Sequence, residues 1–370
     1  MSKLKLKNLG IIFEDSRFGG PHYQSINNYS FLKKKFNIKF LISKRENNIF
    51  KKKLYKKKIE FNDENIYYLS LKIKNFILYI FNFFKDLKKI KKFIKKENID
   101  VVYIAGGSNN FKSIIACLHL PVKIIWHIHD SHSSLIIVKI FQILSPYCTK
   151  LIFASNKSKN FYKKFGGIKI KNIIIQSSVK YQKIKKNYNK KITIGTVGNF
   201  NKIKNQLFFL KLANEFKNNK KINFKIIGNV WVSQKEYYKK NLRYIKEKKL
   251  NNVKIIQNCK NVINHINEFD IFVLCSISES SPVALWEAMS QKKPIISTNV
   301  GDLSLFNKNH PCGYIINKPN VNKFKKAIQL INSSEDKKKF FSNNSFSIYK
   351  KNFTNEIYKK KLLNFLEDLT

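Results

Sequence analysis

Residues 270–302 read DIFVLCSISESSPVALWEAMSQKKPIISTNVGD. Ile271–Leu274 is a short, continuous apolar run, the pattern of a strand buried on both faces. It ends at Cys275, and a polar loop, Ser276–Ser281, follows. Pro282 suits the first position of a helix, where its missing N–H removes no bond, and Ser281 before it suits the N-cap. The helix VALWEAMSQ then runs to Lys292 and Lys293, cations at its negative end. Pro294–Ser297 opens the next strand. Such a strand–loop–helix leaves free backbone N–H groups at the carboxyl end of a strand, a site for an anion such as a nucleotide diphosphate. Two carboxylates flank it, Glu279 in the loop and Glu287 in the helix, with seven residues between them. At ~1.5 Å rise per residue Glu287 lies about one and a half turns into the helix and can face the same pocket. Carboxylates accept hydrogen bonds from vicinal hydroxyls, which suits ribose and other sugars.

The same alternation extends both ways. Upstream, Ile192–Val197, Phe224–Ile227 and Val253–Ile256 read as buried strands; downstream, so does Tyr314–Ile316. Helix-length segments such as Asn205–Lys217 and Val321–Leu330 lie between them. An earlier series comprises Leu9–Phe13, Ile38–Ile42, Val101–Ala105, Ile124–Ile128, Leu151–Ala154 and Ile173–Ile175. Strands alternating with helices predict α/β architecture with right-handed crossovers. Two series predict two Rossmann-like parallel-sheet domains, with ligands at the carboxyl ends of the strands and a cleft between the domains. The polar, lysine-rich stretch Val179–Lys191 sets the boundary. The expected division is 1–180, a linker at 181–191, a second domain at 192–345, and a closing segment at 346–370.

Length agrees, since 370 residues make about two domains at roughly 150 each. The charge is the loudest feature: 72 Lys+Arg against 23 Asp+Glu, or +49. It does not indicate nucleic acid, because the arginines are only Arg17, Arg45 and Arg243. Selection for phosphate recognition favours the bidentate Arg fork, and abundant Lys, Asn, Ile, Phe and Tyr fit a composition bias instead. Attraction to an anionic membrane remains open. At 43% hydrophobic residues the chain has material for real cores. Five scattered cysteines make no disulfide framework and point to a reducing compartment. No targeting segment is evident and Phe76–Phe84 is too short to span a bilayer, so a cytoplasmic protein is expected.

Three further stretches stand out. Ile73–Lys96 reads as one helix, with a stripe of Phe76, Ile80, Phe83, Phe84, Leu87, Ile90 and Ile94. It suits a domain helix or, as an alternative, an interfacial membrane helix at the inner face of a membrane. Glu14–Gln24 (EDSRFGGPHYQ) places Gly19 and Gly20 after the opening strand, with Arg17 beside them to meet an anion. Trp126–His132 (WHIHDSH) ends a strand; alternation puts His127 and His129 on one face, without the helical spacing metal sites often use. No metal ligand set is assigned.

Glu279 and Glu287, the following Ala288–Met289, the Pro294–Ile296 strand and the Asn299-Val300-Gly301 turn together resemble the retaining nucleotide-sugar glycosyltransferases of family 4 (glycosyl transferases group 1). Ile192–Gln206 resembles the family's strand–glycine–lysine block, and Gly313 a glycine before its last strand. The resemblance implies the GT-B fold, an N-terminal acceptor-side domain, a C-terminal donor domain, and a last helix returning to the first domain. It implies that Glu279 holds the donor sugar, Glu287 the ribose, and Lys204 the diphosphate. Gly198, Ser281, Pro282 and Val283 would approach the phosphates, as would Gly19 and Gly20. His129, paired with Asp130, would bond a donor-sugar hydroxyl. The family commonly has an arginine where this chain has Asn199; Lys202 or Arg17 would then supply the charge. No cofactor is implied, since the nucleotide sugar is the substrate, and no Asp-x-Asp metal motif occurs. The acceptor would be a carbohydrate or lipid-linked molecule in surface polysaccharide or lipopolysaccharide synthesis. Three other readings stay open: a nucleotide-sugar 2-epimerase of the same fold, a non-catalytic GT-B-like binding protein, and a basic nucleic-acid-binding protein.

Overall fold

The computed structural model describes residues 6–15, 17–44, 48–69, 73–184 and 191–369. The chain divides into two units, Met1–Ser177 with Tyr358–Thr370, and Ser178–Ile357.

Unit 1 runs β1 (Lys7–Phe13), α1 (Gly20–Leu32), β2 (Phe36–Ser43), α2 (Asn48–Lys56), β3 (Phe61–Glu64), α3 (Ile73–Phe81), α4 (Phe83–Lys96), β4 (Val101–Gly106), α5 (Phe111–Cys117), β5 (Lys123–Ile128), α6 (Leu135–Leu144), β6 (Lys150–Phe153), α7 (Asn156–Lys163) and β7 (Asn172–Ile174). Its strands pair in parallel in the order β3-β2-β1-β4-β5-β6-β7. The pleat sorts neighbours to opposite faces. Ile12, Ile104, Trp126 and Phe153 pack beneath α4 to α7. Ile11, Phe40, Tyr103 and Ile125 pack beneath α1, α2 and the last turns of the chain.

Unit 2 continues with β8 (Ile192–Val197), α8 (Gln206–Asn214), β9 (Ile222–Ile227), α9 (Lys235–Glu247), β10 (Val253–Ile256), α10 (Val262–Asn267), β11 (Ile271–Leu274), α11 (Val283–Ser290), β12 (Ile295–Thr298), α12 (Leu303–Asn309), β13 (Gly313–Ile316), α13 (Val321–Asn332) and α14 (Glu335–Asn352). The order is β10-β9-β8-β11-β12-β13. In chain order this is 3-2-1-4-5-6, the doubly wound arrangement whose order reverses between its first and fourth strands. Unit 1 follows the same scheme with one strand added at the edge. The reversal lies between β1 and β4 in unit 1 and between β8 and β11 in unit 2.

Each strand expected from sequence is present. The one not expected is β3, FNDE, whose polar residues are all half-buried at a sheet edge. The 73–96 segment is two helices rather than one. They break at Asn82, whose side-chain amide donates to the Leu78 carbonyl at 2.9 Å. Much of the expected linker, 185–190, lies outside the described residues. Val179, placed by sequence in the first domain, belongs to unit 2: its N–H donates to the Phe353 carbonyl and its carbonyl accepts from the Tyr349 hydroxyl. The last helix, α15 (Asn355–Leu366), enters unit 1 only at Tyr358, not at 346 as expected. Residues before that are held in unit 2, where Trp286 stacks on Phe353 at 3.7 Å between ring centroids. In unit 1 the buried Lys150 ammonium on β6 bonds the Phe365 carbonyl and pairs with Asp368, fixing the chain end.

Candidate functional site

In unit 2 the loops after β8 and β11 leave adjacent strands at the reversal point, and each brings a charged residue to that point. Lys204 comes from the first loop and Glu279 from the second; they form an ion pair. Both are more than half covered, Lys204 with 26% and Glu279 with 12% of the side chain exposed. Local chemistry aims each partner. The Asn201 Oδ1 accepts from the Lys204 backbone N–H at 2.8 Å, and Gln206 donates to the carbonyls of Gly198 and Asn199. The Lys204 stem runs over Gly198, where a Cβ would sit 3.3 Å from Cδ. Gly198 thus gives the lysine its path. Gly228 lies closer still, since a Cβ there would fall 2.0 Å from the Gly198 carbonyl oxygen. The buried Ser276 hydroxyl donates to Glu279 Oε1 at 2.7 Å, fixing the carboxylate from the other side.

The helix after Glu279 departs from the sequence expectation by one residue. Pro282 is the N-cap and α11 begins at Val283. Ser281 does not cap it through its hydroxyl; that oxygen accepts from the Trp286 indole at 3.1 Å. The first turn therefore lacks a side-chain cap, so its free N–H groups are open to an external acceptor. Gly301 closes over this turn in the left-handed region (φ 54°), where a Cβ would meet the Ser280 carbonyl oxygen at 2.6 Å. Five residues into α11, the half-buried Glu287 carboxylate makes no hydrogen bond or ion pair among the described residues. Burial raises its pKa to about 7. A carboxylate so placed is short of hydrogen-bond donors.

Asn199, at the position of the expected arginine, is held in the loop: its Oδ1 accepts from the Asn229 N–H at 3.2 Å. Lys202 is exposed and makes no hydrogen bond or ion pair among the described residues. A wide concavity of about 960 Å³ also exists in unit 2. It lies where α8 runs into β9, at the amino ends of the strands, away from these charges.

The corresponding edge of unit 1 is built differently. Arg17 makes a bidentate pair with Asp15, at 3.0 and 2.6 Å, and covers the Tyr68 ring. Gly19 is extended (φ −146°), and a Cβ would meet nothing closer than 3.9 Å there and nothing within 4 Å at Gly20. Among the described residues of unit 1, nothing requires glycine at either position. His22 bridges the loop: its Nδ1 accepts from the Gly19 N–H at 3.3 Å and its Nε2 donates to the Asp15 carbonyl at 2.9 Å. Burial lowers its pKa to about 4. His129 follows β5, with its ring 3.9 Å from that of His127. Burial, with His22 nearby, brings His129 down to about 3. Its imidazole is a neutral hydrogen-bonding group at physiological pH.

Asp130, expected beside His129 as a functional partner, is instead a structural acceptor. It takes the Ser108 N–H at 2.7 Å, the Ser108 hydroxyl at 3.0 Å and the Tyr162 hydroxyl. Glu14, given no role by the sequence, is buried and accepts from the N–H and hydroxyl of Ser113, both at 2.8 Å. A second overlooked group is the chain Gln24–Asn28–Tyr358, which reaches α15 through 2.9 and 3.1 Å bonds. Tyr103 lies against Tyr358 and bonds His127 Nδ1, so the histidine strand is braced from the chain's end. Such links join residues up to 330 positions apart and carry no local motif. Among the described residues no three His, Cys, Asp or Glu side chains converge on a metal position.

Comparison with known proteins follows the same division. Residues 178–347 match the family described as glycosyl transferases group 1. The capsular polysaccharide biosynthesis glycosyltransferase CapH of Staphylococcus aureus is 28% identical over 245 residues, covering 60% of this chain and 68% of its own length. Among solved structures, Anabaena HepE in complex with UDP superposes with a TM-score of 0.80 at 15% identity, covering 98% of this chain and 100% of that one. A glycosyltransferase from Rickettsia africae gives 0.79 at 18% identity, covering 99% and 100%.

Proposed function

We propose that this chain, whose residues 178–347 match the family described as glycosyl transferases group 1, is a nucleotide-sugar glycosyltransferase that transfers a hexose from a UDP-sugar to an acceptor hydroxyl with retention at the anomeric carbon. The observation that carries this reading is the triad of groups at one edge of unit 2. These are the Lys204–Glu279 pair, the uncapped start of α11, and the partnerless Glu287. A cation and free N–H groups suit a diphosphate; a carboxylate lacking donors suits a ribose diol. The choice of UDP is supported by HepE, which has been solved with UDP and with UDP-glucose.

In the proposed reaction the donor C1–O bond breaks as charge develops on the departing diphosphate. Lys204 and the N–H groups at Val283 and Ala284 stabilise that charge, the main source of catalysis for such a leaving group. The acceptor oxygen bonds to C1 on the same face, and its proton passes to the leaving diphosphate. Glu279, steadied by Ser276, holds sugar hydroxyls; neutral His129 bonds another. The glycines at 19 and 20 leave room for a ligand to approach the backbone. The kinship with CapH supports an acceptor in surface polysaccharide synthesis.

The test is a thermal-shift panel of UDP-, GDP- and ADP-sugars, followed by NMR of the anomeric proton in the transfer product. Stabilisation by UDP-sugars and a retained anomer are expected. Stabilisation by a GDP- or ADP-sugar alone would overturn the donor assignment. An inverted product would overturn the stereochemistry, and epimerised nucleotide sugar without any acceptor would make the chain an epimerase.

A further inference from the structure

The helix α3, IKNFILYIF, is apolar along the side that normally faces a core, yet that side faces solvent. Ile73, Phe76, Ile77, Ile80 and Phe81, continued by Phe84 on the first turn of α4, recur at helical spacing. All six are exposed, from 46% at Ile77 to 80% at Phe81. The only buried residue of α3 is Tyr79, on the other side. Beyond the break at Asn82 the stripe turns inward, and Leu87, Ile90 and Ile94 enter the core. The outward face is therefore a separate surface, not the loose end of a core helix.

A buried cation holds the helix in this attitude. The Tyr79 ring covers the Lys112 ammonium at 3.8 Å. Lys112 is fully buried, bonds the Tyr67 carbonyl at 2.9 Å and pairs with Asp86 at 2.7 Å. Asp86 is the only acid between 73 and 96, against eight lysines, and none of it is exposed. Lys74, Lys85 and Lys88 are exposed on and beside the stripe. In the same layer, α6 leaves Leu135, Ile136 and Ile143 exposed around Lys139 and carries no acid.

We propose that the α3 face, with the first turn of α4, inserts into the headgroup boundary of an anionic bilayer. Large apolar side chains flanked by Lys74, Lys85 and Lys88, with no exposed acid on α3 or the first turn of α4, match a surface that is apolar within and negative at its rim. A second copy is disfavoured as occupant, because it would bring the same lysines and a chain charge of +49 against them. The helices are too short to span: among the described residues none is long and apolar enough to cross a membrane. The inference is independent of the sugar and of the acceptor.

The experiment is flotation of the full chain with phosphatidylcholine vesicles containing 30 mol% phosphatidylglycerol, at about 0.15 M and about 1 M salt. The triple variant Phe76→Ser/Ile80→Ser/Phe81→Ser keeps every lysine and, being exposed, should melt as wild type does. Binding is expected to fall at least tenfold in this variant. A Phe81→Trp chain is expected to shift its emission to the blue on the same vesicles and not on phosphatidylcholine alone. Equal binding by the triple variant would show that general charge suffices and overturn the proposal. So would self-association at about 0.15 M salt that the triple variant abolishes, or capture of the stripe by an acidic protein while vesicles are ignored.

Discussion

The two units share one strand order but treat charge at the reversal point in opposite ways. Unit 2 keeps an ion pair and a partnerless carboxylate at the ends of β8, β11 and the start of α11. Unit 1 neutralises the same region: His22 and His129 are held far below the ordinary histidine range, Asp130 is saturated by Ser108 and Tyr162, and Arg17 is paired with Asp15. Its glycines differ as well, being free of any internal requirement at 19 and 20, whereas Gly228 and Gly301 are demanded by neighbouring backbone. One topology thus supports a charged edge and a neutral edge, and the loops alone decide which.

The largest expected effect breaks the charged edge. Lys204→Ala should lower turnover by about 100-fold or more, the scale of losing one electrostatic contact to a developing anion, while thermal melting changes little. Wild-type turnover in that variant would remove Lys204 from the site. The glycine contrast comes next. Gly228→Ala should destabilise unit 2 by about 1–3 kcal/mol, as overpacking does, because its Cβ would meet the Gly198 carbonyl. Gly20→Ala should melt normally and yet transfer more slowly; normal transfer would leave that loop without a ligand.

A pH profile sharpens the comparison further. With the Glu287 pKa near 7, protonation competes with ribose binding, so nucleotide affinity should fall about tenfold between pH 8 and pH 6. Glu287→Gln should flatten the profile. The stability sign is opposite: a raised carboxyl pKa favours the fold below about 4.5, and this is lost as pH rises through 7. Glu287→Gln should therefore raise the melting temperature at pH 8 and not at pH 4.5. The smallest effect belongs to unit 1. His22 is held down to about 4, so between about 6.5 and 4 the unfolded chain binds the proton that the folded chain refuses, and stability falls with acidification. Glu14, raised to about 7, opposes this over much of the same range. The measurement is accordingly the difference between wild type and His22→Gln, whose loss of stability from pH 7 to pH 5 should be smaller.

What was legible in the sequence follows the range of the interactions. The strand runs, the Glu279–Glu287 spacing and Lys204 after Gly198 are local patterns, and they marked the fold and the unit 2 residues. The edge strand Phe61–Glu64 was not legible because a half-buried edge tolerates polar residues. Ser281 was misjudged as a cap because its competing partner, the Trp286 indole, comes from the following turn. Asp130 looked functional beside His129; Ser108 and Tyr162, brought up by β4 and α7, make it structural.

By itself the sequence determined the period of each element, and thereby two α/β halves with glycines and carboxylates at strand ends. Hydrophobic period and turn chemistry act over a few residues, so they survive in one dimension. Tertiary structure alone decided which charges are paired. Lys204 meets Glu279, 75 positions away, because β8 and β11 are neighbours in the sheet. It also decided that the apolar stripe of α3 looks outward, since the break at Asn82 and the buried Lys112 turn that face from the core. Pairing and exposure depend on which segments come together, and a distance across the fold has no period for a sequence to display.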